Sequence, residues 1–186
     1  MSHTNLTNQF LIAMPSLKDP NFEKTVTYIC AHNEDGAMGI VINKPLGIDL
    51  DEIFKQMDIR SDINAAKKKT VFHGGPVHVD RGFILHHSGS EWDSSIIVSN
   101  DICVTTSKDI LEAIAVGNGP DEALIALGYA GWASGQLEDE LMNNAWLNGP
   151  ASADIIFNTP HEECWHSAAS RMGVDIERLS SDIGHA

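Results

Sequence analysis

Nine histidines in 186 residues raise metal binding before any other chemistry. The densest group is His161, Cys164 and His166. On a helix His161 and Cys164 share a face, whereas His166 points elsewhere. There is neither an HExxH pair nor a paired CxxC. We therefore expect no metal and no cofactor, and read the group as polar residues at a helix start beside a buried thiol. His86 and His87, adjacent on a strand, point to opposite faces, so one site can use at most one of them. His86 shares its face with Ile84, which suggests a hydrogen-bonded structural histidine.

Gly131-Trp132-Ala133-Ser134-Gly135 lies between a strand and a helix, the setting of a hydrolase nucleophile elbow. The elbow is G-x-S-x-G, and here the serine is fourth. The segment reads instead as a tight turn with Ser134 or Gly135 opening the helix. Gly74-Gly75-Pro76 is not followed by the Gly-Lys-Ser/Thr of a phosphate loop, so it too reads as a turn. Lys67-Lys68-Lys69 is the only basic run. Without interleaved arginines or aromatics it reads as a solvated turn rather than a nucleic-acid patch. The helix N-terminus at Gln136 carries Glu138, Asp139 and Glu140, which satisfy its dipole and repel a phosphate. It is structural, or a docking face for something basic. Glu138 and Glu140 lie on different sides of that helix, which weakens a joint acid–base role.

These residues need elements to hold them. Gln9–Met14, Thr25–Ala31 and Ala37–Asn43 are apolar, β-branched runs that read as strands, the last two joined as a hairpin by Asn33-Glu34-Asp35-Gly36. Leu50, Ile53, Phe54 and Met57 form one helical stripe, with Asp49 as cap and Glu52 completing a capping box. Strands are predicted at Thr70–His73 and Arg81–His87, and a hairpin at Ile96–Ser99 with Ile102–Thr106. Ser107 caps a helix carrying Ile110, Leu111 and Ile114. Ala123–Ala130 reads as a central strand buried on both faces, followed by a helix carrying Leu137 and Leu141. Ala153–Phe157 reads as a further strand. Thr159-Pro160-His161-Glu162 gives the last main helix its cap, first-turn proline and capping-box glutamate, and Trp165, Ala168, Ala169 and Met172 its buried stripe. Clustered strands without strict βαβ alternation predict an α+β fold. We expect a strongly bent, mostly antiparallel, barrel-like sheet flanked by helices.

The length fits a single domain over residues 1–186, with no repeat or linker dividing it. The chain is 42% hydrophobic, enough for a core and too apolar for disorder. Twelve basic against 26 acidic residues give a net charge of −14, which argues against a nucleic-acid surface. Residues 1–100 hold 9 basic and 12 acidic side chains, residues 101–186 only 3 and 14, and part of that acid falls in the first turns of two helices. Cys30, Cys103 and Cys164 are odd in number and unpaired in spacing, which fits a reducing cytosol. The first residues lack a basic n-region, and no apolar run reaches the roughly 18 residues of a membrane span. We expect a cytoplasmic protein without membrane association.

Three groups of residues together resemble the YqgE/AlgH family of bacterial proteins. The first is Phe10-Leu-Ile-Ala-Met-Pro15, Asp19-Pro20-Asn-Phe22, Gly36-Ala-Met-Gly39 and Asn43-Lys-Pro45. The second is His73-Gly-Gly-Pro-Val77 with Arg81-Gly-Phe-Ile-Leu-His86. The third is Leu127-Gly-Tyr-Ala-Gly-Trp132, Gly135-Gln-Leu-Glu138, Glu140 and Asn144-Ala-Trp146. Their order and spacing span nearly the whole chain. Thr25 and Ala31 depart from the family pattern, which often has Ser and Glu there. The resemblance implies a single α+β domain with a barrel-like sheet, unestablished biochemistry, and a family label of transcriptional regulator. It also marks Asn43, Arg81, His86, Gln136, Glu138 and Asn144 as matching polar positions, a candidate functional cluster whose alternative role is to tie loops to a curved sheet.

Three functions compete. The first is a non-catalytic binding or regulatory protein acting through protein partners. The second is an enzyme with Arg81 as anion clamp and His86 or Glu138 as acid–base, which requires these side chains within about 10 Å of one another. The third is direct DNA binding, disfavoured by charge.

Overall fold

In the computed structural model, which describes residues 4–183, the chain runs β1 (Gln9–Ala13), β2 (Val26–Asn33), β3 (Gly36–Val41), β4 (Pro45–Asp49), α1 (Leu50–Gln56), α2 (Asn64–Lys67), β5 (Thr70–His73), β6 (Val77–His87), β7 (Ser95–Ile97), β8 (Ile102–Thr105), α3 (Lys108–Ala115), β9 (Ala123–Ala133), α4 (Gln136–Met142), β10 (Trp146–Pro150), α5 (Ala153–Asn158), α6 (His161–Arg171) and α7 (Ile176–Ile183). The strands form one curled sheet in the order β10-β1-β2-β3-β9-β6-β8-β7, with β5 beside β9 and β4 beside β5. Every pairing is antiparallel except β5 with β9. The expected bent, mostly antiparallel α+β architecture is what the chain adopts.

The long strand β9 is the spine. Residues Ala123–Leu127 pair with β6 on one edge, and Ile125–Leu127 pair with β5 on the other. Further along, Ala130–Ala133 pair with β3. Alternation puts Leu124 and Ala126 on one face with Phe10, Tyr28, Phe83 and Leu85, covered by Ile155, Ile156, Trp165 and Ala169 of α5 and α6. Ile125 faces the other way, under Phe54, Ile110 and Leu111 of α1 and α3. Beyond Gly128 the phase reverses. Tyr129 joins the first face, while Ala130 and Trp132 join the second, under Leu137 of α4. Gly128 is where the strand takes a positive φ of 79°, which a glycine adopts without the penalty of a Cβ.

Three glycines permit a close crossing here. A Cβ at Gly74 or Gly75 would overlap the β9 backbone at Gly128 or Tyr129, and one at Gly128 would overlap Gly75. The Gly74-Gly75-Pro76 motif is therefore a backbone contact site. It also creates a large bulge, because β6 resumes its pairing at Gly82 opposite Leu127 after Val77 opposite Tyr129. The segment 78–81 stands out from the sheet, with His78 at φ 48°.

Several expectations need correction. Ala153–Phe157 is the helix α5, not a strand. Ser152 caps it, its Oγ accepting from the Ile155 amide at 3.4 Å, and a short apolar run has no period long enough to tell the two apart. Thr159 does not cap α6. Its hydroxyl donates to the Asp154 carbonyl, and Pro160 takes the cap position. Asp49 and Ser107 hold their cap positions without the expected side-chain bond. Ser134 likewise donates to the Glu34 carbonyl, leaving Gly135, at φ 75°, to open α4. The strand β10 was not expected, because Asn148, Gly149 and Pro150 look like turn residues. As an edge strand it tolerates a proline, and Gly149 makes room for the Met172 side chain.

Candidate functional site

His86 is fully buried on β6. Its Nδ1 lies 2.8 Å from the His87 carbonyl, which can only accept, so Nδ1 carries the proton. In the neutral ring Nε2 then accepts from Thr105 Oγ1 at 2.6 Å, and Thr105 accepts from Ser95 Oγ at 2.6 Å. Burial lowers the His86 pKa, the bond to the His87 carbonyl opposes this, and the nearby His87 adds to it. The ring is a closed link between β6, β7 and β8.

Glu138 meets a histidine outside the candidate cluster. His32 Nε2 lies 2.6 Å from Glu138 Oε1, and its Nδ1 accepts from the Leu6 amide at 3.0 Å. With Nδ1 committed to a backbone N–H, Nε2 holds the proton and donates to the carboxylate. The buried His32 thus fastens α4 to β2 and to the N-terminal segment. Beside it Glu140 is a hub. Oε1 accepts from the indoles of Trp132 and Trp146 at 3.2 and 3.1 Å, and Oε2 accepts from Gln136 Nε2 at 3.1 Å. Gln136 Oε1 accepts in turn from the Ala133 amide. Asn144 follows α4 at φ 58°, a left-handed position that asparagine tolerates at helix C-termini.

Asn43 works similarly at the end of β3. Its Oδ1 accepts from the Val26 amide at 2.8 Å and its Nδ2 donates to the Lys24 carbonyl at 3.0 Å, fixing Lys24 at φ 57°. It lines a polar cleft of about 360 Å³ with Lys24, Lys44, His161, Trp165 and His166. Lys44 donates to the Pro20 carbonyl, and the two histidines pair with Glu162 and Glu177. Cys164 is buried, its thiol pushed up to about 11 by burial and by the neighbouring Glu162 and Glu163. Among the described residues no group of three or more His, Cys, Asp or Glu side chains is arranged to hold a metal.

Arg81 stands apart from these networks. It lies on the bulge of β6, three residues beyond the last rung shared with β8 at Ile84 and Thr105. Its side chain wraps the open sheet edge, 5.8 Å from the Phe83 ring and 3.5 Å from Thr106 Oγ1. Below it opens a cavity of about 430 Å³ between α1, α3 and the sheet. The walls are Ile53, Met57, Ile84, Leu111, Ile125 and Leu127, and the rim carries Gln56, Asp80, Arg81, Thr106, Ser107 and Lys108. A largely apolar pocket with a few polar groups at its mouth is the usual form of a small-molecule site.

The structure puts Gln136 and Glu138 on α4, where they engage Glu140 and His32 respectively, with Asn144 just past the end of that helix, and leaves His86, Asn43 and Arg81 elsewhere. His86 pairs with Ala123 at one end of β9. Glu138 holds His32, whose partner Ala37 faces Trp132 near the other end. Ala123 to Trp132 is about 30 Å of strand contour. The candidate cluster left out His32, Glu140's role as hub, and Lys108. The recurring Trp132, Glu140 and Trp146 were a usable signal for the hub. Lys108 had none, because only the fold sets it beside Arg81.

A family model described as AlgH-like matches residues 10–177. A UPF0301 protein of Thioalkalivibrio sulfidiphilus is 57% identical over 183 residues, covering 98% of each chain. One of Hahella chejuensis is 56% identical over 185 residues, covering 100% of this chain and 98% of its own. The solution structure of the AlgH protein from Pseudomonas aeruginosa is 48% identical and superimposes with a TM-score of 0.81 over 100% of this chain and 98% of that one. Protein DIP2367 from Corynebacterium diphtheriae, 18% identical, shares the fold with a TM-score of 0.76 over 97% of this chain and 94% of its own.

Proposed function

The chain belongs to the AlgH-like family, and on that premise we propose that it is a non-catalytic binding protein that regulates through its partners rather than by turning over a substrate. The observation that carries this reading is the fate of the acid–base candidates. His86 is closed between a carbonyl and Thr105, and His32 between an amide and Glu138. A general acid or base needs a ring nitrogen or carboxylate within reach of a substrate proton, and both ring nitrogens of each histidine already have partners inside the fold. The competing reading, one enzyme site built from Arg81, His86 and Glu138, has its histidine and its carboxylate tied to opposite ends of β9. Direct DNA binding has a net charge of −14 against it.

The reading is tested by capture from a bacterial lysate at about 150 mM salt, where weak surface attraction is largely screened. A reproducible protein partner is expected, retained by folded His86→Gln and Glu138→Gln variants. Capture of nothing reproducible overturns the reading, whereas loss of the partner in a folded variant would place that residue at the docking surface.

A further inference from the structure

We infer that the cavity beneath Arg81 binds an amphipathic monoanion, an aliphatic carboxylate whose chain lies between α1 and α3. The inference rests on the binding-protein reading above and names the ligand class of one site. Three features point to it.

The cavity has two chemically distinct ends. Ile53, Ile84, Leu111, Ile125 and the half-buried Met57 and Leu127 present an apolar wall. A wholly polar ligand would gain nothing there, whereas an aliphatic chain packs on the buried isoleucines and Leu111 and removes the still exposed surface of Met57 and Leu127 from water.

The mouth carries Arg81 and Lys108. Among the described residues neither forms an ion pair, and Arg81 makes a long 3.5 Å contact to Thr106 beside its approach to the Phe83 ring at 5.8 Å. A guanidinium held this loosely keeps its planar donor fork for a carboxylate. The exposed Asp80 shares the rim and Asp109 is bonded to the rim residue Ser107, so the two cations match a monoanion better than a dianion. The N-terminus of α3 contributes little. Asp109 already accepts there from Ser107 Oγ and the Ile110 amide, so the charge falls to the two side chains.

The size also fits. At the ~30 Å³ that a water molecule occupies in the liquid, the volume corresponds to on the order of a dozen non-hydrogen atoms, about the size of octanoate.

The test is titration of the ¹⁵N-labelled full chain with octanoate, octanol, octylammonium and acetate, followed by amide shifts. Octanoate is expected to move Ile53, Met57, Lys108 and Leu111, and to bind about tenfold or more tightly than octanol or octylammonium. Arg81→Met should remove that preference and leave octanol unchanged. Gln56→Trp, at an exposed rim position, should block both. Folding of each variant is read from the same spectra. Octanol binding as well as octanoate, with both blocked by Gln56→Trp, overturns the anion while leaving a binding site. No shift with any amphiphile, or shifts that Gln56→Trp does not affect, overturns the site. Partner capture tests the broader reading separately.

Discussion

A buried neutral histidine gives the fold a pH dependence whose sign is fixed. Burial holds His86 below the ordinary imidazole range, so the unfolded chain takes up a proton that the folded one resists. The stability from neutral His86 is complete above about pH 6.5, and is lost as pH falls from there through the folded pKa. His73, held low by burial and by Lys44, has the same sign. His86→Gln removes one contributor. It should cost about 1–3 kcal/mol at pH 7.5 through lost buried hydrogen bonds, and its melting temperature should fall less steeply than that of the parent between about pH 7 and pH 5. Thermal melts across that range decide it, and equal slopes would show that His86 takes up its proton alike in the folded and unfolded chain. The same closure governs Cys30, whose thiol burial pushes up to about 12. Its role is packing, because the thiolate is the nucleophile. Asn43, Gln136 and Glu138 likewise have hydrogen-bond partners within the fold. Their types were legible in the sequence, but their partners were not, because Glu138 and His32 lie 106 positions apart.

At the scale of elements the crossing of Gly74 and Gly75 over Gly128 has the largest consequences. It lets β5 and β6 flank β9, reverses the strand's alternation and raises the bulge that carries part of the cavity's rim. Gly75 sits at φ 154° with no room for a Cβ, so Gly75→Ala should destabilise by about 3 kcal/mol or more. Its neighbour by type, Gly135 at φ 75°, has open space around it, and Gly135→Ala should cost only about 1 kcal/mol from backbone strain. Urea unfolding of the pair checks this, and equal losses would place the strain in the dihedral alone. The sequence marked Gly74 and Gly75 as turn residues and left Gly128 inside a strand, without showing that they touch. It misassigned α5 for a related reason: Ile155 and Ile156 say only that the segment is buried, and the Ser152 cap decides its form.

For the whole molecule, the charge of −14 means that the folded chain repels itself, chiefly through residues 101–186. Raising NaCl from about 10 mM to about 200 mM should therefore raise the melting temperature, because the Debye length falls below the spacing of most surface charges. A melting point indifferent to salt would show that the acid is already neutralised locally, as at α4, where Glu138 and Glu140 accept hydrogen bonds from His32, Gln136 and two tryptophans. The sequence by itself determined the α+β class, the central strand, most helices and the family, because hydrophobic period and turn chemistry are local. Tertiary structure alone decided that His86 and Glu138 face different ends of β9, and that Arg81 joins Lys108 above an apolar cavity. Those placements follow from strand pairing and one backbone crossing, contacts between distant positions that no local pattern encodes.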